Sequence, residues 1–299
     1  MELSWVNKVR IGSVAVLGLV FIGILAWPVV APADPLAPVR SAGLSLPGTM
    51  VLLALAFGLG AVGYFITWPH GREIGILTVP FGLTVWAARS GPMRVLTQAY
   101  PQPAEREALL HSLRFEPLYW LLIVAAGFAG VIAAQRLRPA AGSPLTISKV
   151  KSYLKTDTAV AILLTLMVSV LVSQFFLGAF AQDLPTSDKT AAAQPATGQI
   201  LFAGIAAFAI AAFVAKKFFG ISYVWPTVAS VLVIPFAEVA YCRGDTIQRF
   251  AETQPATSLP HAVLAILPIQ LVALGAIGSV IGYWMAVRYD FWRTHETAS

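Results

Sequence analysis

Residues 48–91 read GTMVLLALAFGLGAVGYFITWPHGREIGILTVPFGLTVWAARSG. Two apolar runs, 50–67 and 74–88, flank a short polar break at 68–73, and the second run carries Pro80 near its middle. Apolar runs of this length joined by a tight polar turn are typical of a helical hairpin buried in a membrane. We interpret this stretch as two antiparallel membrane helices.

A second copy of the pattern follows about 150 residues later. The apolar runs 200–215 and 221–241 flank a break at 216–220, and Pro235 lies in the second run. Both prolines are followed by phenylalanine and a small residue. One hairpin used twice therefore predicts the plan of the chain.

Composition places most of the chain in a bilayer. Of the 299 residues, 58% are hydrophobic and 11% are charged, and the mean hydropathy is +0.76. Soluble domains carry about 25% charged residues. The formal charge of +6 does not indicate nucleic-acid binding, because the basic residues form short clusters between apolar runs, as they do in proteins oriented in a membrane.

The apolar runs predict an all-α polytopic membrane protein of about eight transmembrane helices. The predicted spans are 11–31, 49–67, 74–88, 117–135, 159–180, 200–215, 221–241 and 262–287. Most approach the ~20 residues that a bilayer requires, whereas the third would rise only ~22 Å as a helix. This third span could instead be a re-entrant loop.

Charge favours a full crossing of 74–88. With eight spans, twelve of the 20 basic residues share one side, including the five in 136–155. A re-entrant third span would place that strongly basic segment outside, against the positive-inside rule. We therefore expect a cell inner membrane protein with both termini cytoplasmic.

The N-terminal span is the one segment that resembles a signal peptide. Lys8 and Arg10 precede an apolar run, and Ala31-Pro-Ala33 resembles a cleavage site. The run of about 17 residues before Pro28 exceeds the usual 7–15. We expect a retained helix.

Spans one to four, shifted by about 150 residues, coincide with spans five to eight. The sequence thus predicts two parallel four-helix repeats, 1–150 and 151–299. Because a four-helix unit begins and ends on the same side, the copies would be related by a pseudo-two-fold axis along the membrane normal. Residues 103–116 and 145–154 are expected to be short interfacial amphipathic helices.

Small residues recur at spacings of four in several spans, and Gly278 and Gly282 form a G-x-x-x-G pattern in the last one. Such patterns let helix backbones approach closely in lipid. They predict helix packing within the chain, with docking of another membrane subunit as the alternative.

Glu238 is the ionisable residue that lies within a predicted span. A carboxylate at partial membrane depth needs a cation. Arg243, five residues on, is badly spaced for a same-helix pair, so we expect Arg89 from the other half. Pro80 and Pro235 predict helix breaks at matching places, a feature of transporter sites and also of ordinary kinked helices.

The chain carries no recognised catalytic motif, and its single Cys242 excludes an intramolecular disulfide. We predict no catalytic residue, no cofactor and no metal; a symmetric histidine pair, His111 and His261, is the weaker metal hypothesis. Function is expected to be non-enzymatic, as a structural or accessory subunit of a membrane complex. The alternative is a secondary transporter or permease-like protein with a site between the repeats. Expected partners are lipid and either other membrane proteins or further copies of the chain.

Overall fold

The computed structural model describes residues 5–139, 156–182, 192–242, 246–248 and 259–296. In these residues the fold is helical, with a single isolated β-bridge between Ala192 and Leu259. Seven helices are long and apolar enough to cross a membrane, which makes the chain an integral, multi-pass membrane protein. They are Trp5–Leu25, Leu46–Ile66, Pro103–Leu137, Ala159–Phe180, Thr197–Phe219, Val224–Tyr241 and Pro268–Arg293.

The helices are numbered here in chain order. They are α1 (Trp5–Gly18), α2 (Trp27–Val30), α3 (Leu46–Ile66), α4 (Gly71–Ile74), α5 (Thr78–Arg89), α6 (Met93–Ala99), α7 (Pro103–Leu113), α8 (Glu116–Leu137), α9 (Thr156–Phe180), α10 (Thr197–Phe219), α11 (Val224–Tyr241) and α12 (Pro268–Glu296). A π-helical segment, Leu19–Leu25, extends α1, and 3₁₀ turns occupy Ser41–Gly43, Gly75–Leu77 and Ala262–Ala265.

The chain forms two compact units. The first comprises Met1–Gly91 and Leu118–Leu145, and the second comprises Pro92–Pro117 and Thr146–Ser299. Residues 92–117, which the predicted division at 150 assigns to the first repeat, pack with the second unit. The division into 1–150 and 151–299 stays a prediction.

In the first unit, α5 runs parallel to the end of the first span. A methyl group on Gly18 would collide with the carbonyl oxygen of Thr78. Five residues further along the first span and eight further along α5, Trp86 Nε1 donates a hydrogen bond of 3.2 Å to the Gly23 carbonyl. Residues with higher numbers in the first span contact residues with higher numbers in α5, so the two helices point the same way. Close approach is possible because the facing residues are glycines.

Helices α3 and α8 of the same unit are also parallel. Gly60 lies against the backbone of Gly127, and Gly130 lies against the carbonyl of Phe57. At the start of both helices, the Thr49 and Tyr119 hydroxyls are 3.0 Å apart. The sequence separation of these pairs is therefore close to 70 residues throughout.

The second unit repeats this arrangement in α10 and α12. Gly278 and Gly282, the predicted helix-packing glycines, lie where α12 meets α10. Methyl groups there would fall 2.5 Å from the carbonyl oxygen of Ile205 and within collision distance of that of Ala209. The glycine face of α12 is therefore occupied by α10, and the two helices are parallel with a separation near 70 residues.

Two predicted spans differ in the structure. Residues 74–88 are not one regular helix: α4, a 3₁₀ turn and α5 follow one another over Gly71–Arg89. The last helix begins at Pro268, whereas the predicted span began at 262, because proline favours the first helical position. The side-chain Oε1 of Gln270 accepts a hydrogen bond of 2.9 Å from the Leu267 amide just before it.

Candidate functional site

A cavity of about 360 Å³ opens at one end of the second unit. It lies where α9 and α11 end and where the chain enters the 3₁₀ turn before α12. The side chains that matter for its chemistry are Gln174, Phe175, Gln182, Tyr241 and His261. Its size is in the range of small-molecule sites.

Gln174 forms the deepest polar part of the lining. It lies six residues before the end of α9, which is ~9 Å along the helix axis. The residue is only 4% exposed, and its Nε2 donates a 2.6 Å hydrogen bond to the Val233 carbonyl of α11. Its Oε1 accepts no hydrogen bond from any residue that the structure describes. The Oε1 atom is itself buried, and a buried acceptor without a donor costs free energy, so the Gln174 amide has an unmet acceptor at this place.

His261 provides a hydrogen-bond donor. It caps the 3₁₀ turn, where its Nδ1 accepts a hydrogen bond of 3.3 Å from the Val263 amide. The proton of a neutral ring must then be on Nε2, which becomes a donor. Burial lowers the pKa of the imidazole below its usual value, because desolvation disfavours the charged form. The ring is therefore neutral at pH 7.

Two neighbours fix the orientation of that ring. Tyr241 stacks on it with centroids 4.0 Å apart and an interplanar angle of 4°. Gly178 of α9 lies on the side of Nε2, since a methyl group there would be 3.1 Å from Cε1 and 3.2 Å from Nε2. Glycine at this position brings the imidazole edge against α9. Gln174 lies one helical turn before Gly178 and therefore shares its face.

The ends of the helices around the cavity are tied together by polar contacts. Gln199 of α10 donates from Nε2 to the carbonyls of Phe180 and Gln182, both at 3.0 Å. Ala192 and Leu259 exchange two backbone hydrogen bonds, of 2.9 and 3.1 Å. These bonds hold the rim of the cavity in place without a charged group.

The predicted carboxylate, Glu238, lies outside the cavity lining. It is 16% exposed, and its Oε2 is 3.9 Å from Nε of Arg114, which follows α7. The favoured partner, Arg89, belongs to the first unit, where its guanidinium lies 4.2 Å above the ring of Trp27. Arg243 lies outside the described residues. Pairing of Glu238 with Arg89 or Arg243 stays a prediction.

The two prolines predicted as helix breaks occupy different positions. Pro80 is in the first turn of α5, directly after the 3₁₀ turn, where the missing amide removes little helical bonding. Pro235 is inside α11, two residues after the carbonyl that Gln174 engages. Pro235 therefore belongs to the helix whose last residue, Tyr241, lines the cavity.

The two histidines of the predicted symmetric pair have different surroundings. His111 packs edge-on against Phe115 at the end of α7, whereas His261 stacks on Tyr241 at the cavity. Among the described residues, no three His, Cys, Asp or Glu side chains are grouped as a metal site would require. The prediction of no metal is left untested by this.

Gln174, Tyr241 and Arg114 were not predicted as site residues. Gln174 is the side-chain amide near the end of an otherwise apolar predicted span, which is a usable signal. Arg114 belongs to the segment 103–116 predicted as a surface helix, but the sequence does not show which span that helix touches.

No known relative adds to this description. The chain matches no protein-family model, and no curated protein or solved structure matches it.

Proposed function

We propose that the protein is a non-enzymatic structural or accessory subunit of a membrane complex. The observation that carries the proposal is the use of polar groups inside the spans. Gln174 ties α9 to α11, Trp86 ties α5 to the first span, and Glu238 faces an arginine next to α7. Each group joins two helices of the same unit, which is a scaffolding role.

Packing supports the same proposal. The stripe Ala203, Ala207, Ala211 and Ala215 of α10 is almost completely buried, and α12 approaches α10 through glycines. Backbone contacts this close leave little freedom for helices to slide past one another. A rigid bundle suits a subunit better than a carrier that must alternate between two states.

We further infer that the two units are copies of one four-helix design. In each unit the contacts between the first and third helices are separated by about 60 residues, and those between the second and fourth by about 70. Gln174 and Val233 represent the first separation in the second unit, and Gly23 and Trp86 represent it in the first. Independent packing solutions would have no reason to share both separations.

The proposal includes a location and an orientation. The excess of basic residues on the side of the termini favours an inner, cytoplasmic membrane with both termini cytoplasmic. Its partners would be lipid and other membrane proteins, or further copies of the chain.

Purification from native membranes tests the subunit role. A tagged chain extracted in two different mild detergents should bring down the same proteins, in the same ratio, in both. A tagged multi-span protein of unrelated sequence, expressed at the same level, controls for non-specific capture. A chain that elutes alone in both detergents would contradict the subunit role, and one that elutes only with further copies of itself would make the complex a homo-oligomer.

A secondary transporter is the second candidate, and the cavity beside the proline-containing helix α11 favours it. Irregular helices near a pocket are typical of transporter sites. Solute-dependent uptake of protons or sodium by the purified chain in liposomes would replace the subunit proposal with this one.

A further inference from the structure

We propose that the cavity in the second unit binds the hydroxyl head of a neutral lipid. The proposal does not depend on the subunit role, because it concerns a site within a single unit. It rests on the hydrogen-bonding groups of the lining, on the lack of charge there, and on how the first unit fills the matching space.

The lining offers one acceptor and one donor to a ligand. The acceptor is Oε1 of Gln174, whose amide is held in place by its bond to Val233. The donor is Nε2 of His261, since Val263 occupies Nδ1. A hydroxyl group both donates and accepts, so its chemistry matches both residues.

The lack of charge in the described lining disfavours the common ionic headgroups. Among the described residues, no lysine, arginine, aspartate or glutamate lines the cavity. A phosphate would lack the cations that such groups require, and an ammonium head would lack a carboxylate. The part of the lining that the structure describes therefore suits a neutral, polar head.

The rim is suited to an apolar tail. Phe175 is 69% exposed and lies within a helix long and apolar enough to span the membrane. Ala179, one turn further, is also exposed and borders the cavity. An aromatic ring and a small residue on the outer face of α9 leave a way for an acyl chain to continue into the bilayer. A soluble alcohol would gain nothing from these contacts.

The first unit closes the corresponding space with its own side chain. Aligning the two Pro-Phe pairs puts Trp86 opposite Tyr241, an offset of 155 residues. Trp86 is completely buried and directs its Nε1 to the Gly23 carbonyl. In the second unit, Tyr241 instead stacks on His261 and borders an open cavity. Tryptophan fills this position in the first unit, whereas the second unit has a cavity there. This difference supports a ligand-binding role for the cavity.

The test is photocrosslinking in phosphatidylcholine nanodiscs. The probe is a diacylglycerol with a photoreactive group in one acyl chain, and mass spectrometry locates the crosslinked residues. We expect crosslinks in α9 and the end of α11, lowered about five-fold when the probe's hydroxyl is methylated, as expected for loss of one hydrogen bond. Excess unlabelled dioleoylglycerol should compete.

Two variants and one control complete the test. Ala179→Phe fills the mouth from an exposed position, so it should fold and should abolish crosslinking to α9. Leu171→Phe, two turns earlier on α9 and also exposed, adds the same ring away from the cavity and should change nothing. Gln174→Leu should reproduce the effect of methylating the probe, with thermal unfolding in detergent recorded to confirm that it folds.

Three results would overturn the proposal. They are equal labelling by the hydroxyl and methyl-ether probes, undiminished labelling of Ala179→Phe, and stronger labelling by the matching phosphatidic acid probe than by the diacylglycerol. The last result would mean that the site prefers an anionic headgroup.

Discussion

Glu238 lies three residues before the end of α11, about 4.5 Å along the helix from its last residue. A carboxylate so close to the interface needs only modest stabilisation, and Arg114 provides a cation from the adjoining surface helix. The 3.9 Å distance is too long for a hydrogen bond, and both side chains are partly exposed although the Oε2 atom itself is buried, so the pair is expected to be weak.

A double-mutant cycle on thermal unfolding in detergent measures that pair. We expect Glu238→Gln and Arg114→Gln to couple by about 0.2–1 kcal/mol, in the range of exposed ion pairs. The coupling should fall at 1 M salt because screening is stronger. Additive losses at low salt would show that the two residues do not interact. The same cycle with Arg89→Gln tests the pair predicted from the sequence.

Cys242 follows α11 and should be a slow nucleophile. Burial, and after it the nearby Glu238 carboxylate, raises the pKa of its thiol to about 12. Since only the thiolate reacts, alkylation by maleimide at pH 7.5 should be far slower than at an exposed cysteine, and should rise steadily up to pH 10. Glu238→Gln removes one cause of the shift and should speed the reaction. Ala42→Cys in a Cys242→Ala background is the exposed control; equal rates at the two positions would contradict this assignment.

At the scale of helices, glycines determine which faces meet. Gly282 of α12 sits against the Ala209 carbonyl, and an added methyl group would overlap it. Gly58 of α3 has no atom within 4 Å of the same position. Close helix packing therefore requires glycine at position 282 but not at position 58.

Replacing each glycine by alanine tests this difference. Gly282→Ala should destabilise the protein by about 1–3 kcal/mol, the usual cost of overpacking. Gly58→Ala should be neutral or slightly stabilising, because alanine has the higher helix propensity. Unfolding in a denaturing detergent series gives both values. If the two variants were equally stable, the close contact of α12 with α10 would be wrong.

The sequence predicts the helices well because lipid requires long apolar segments, whatever their neighbours. The predicted span 159–180 and the helix Thr156–Phe180 end at the same residue. The start of the last helix was missed because 262–267 are as apolar as the helix itself. Pro268 lies inside the predicted span 262–287, although proline is frequent at the first position of a helix.

The cavity was not predicted, because its residues are far apart in the chain. Gln174, Tyr241 and His261 come from three elements, and no periodicity within one element shows that they converge. Glu238 was selected from the sequence because it is charged. Gln174 is uncharged, and its free Oε1 becomes visible only when the partner of Nε2 is known. A side-chain amide near the end of a predicted span can therefore mark a site as a charged residue does.

At the scale of the whole chain, the number of crossings depends on Gly71–Arg89. Its two short helices and 3₁₀ turn would together rise ~30 Å if collinear, although α5 alone is too short. Two hydrogen bonds locate its end. Ser90 Oγ accepts from the Val39 amide at 2.9 Å, and the Gly91 amide donates to the Ala37 carbonyl at 3.3 Å.

These bonds join the end of α5 to the loop that follows the first span, within one unit. The turn at His70 follows the second span, so it is on the opposite side of the membrane from that loop. If α3 crosses the membrane, a chain that starts at His70 and ends beside Val39 must cross it too. These contacts favour the eighth crossing predicted from the sequence, whereas the number of crossings and the side of the termini stay predictions.

Cysteine accessibility decides between a crossing and a re-entrant loop. In a Cys242→Ala background, Ala42→Cys, His70→Cys and Ala88→Cys each place a thiol at an exposed position of the first unit. An impermeant maleimide added to intact cells should label positions 42 and 88, and should reach position 70 only after permeabilisation. The first two positions flank the hydrogen bonds from Val39 to Ser90, whereas the third is at the other end of α3. A re-entrant segment would instead make position 88 behave like position 70, because both ends of the segment would then be cytoplasmic, and the inference of eight crossings would fail.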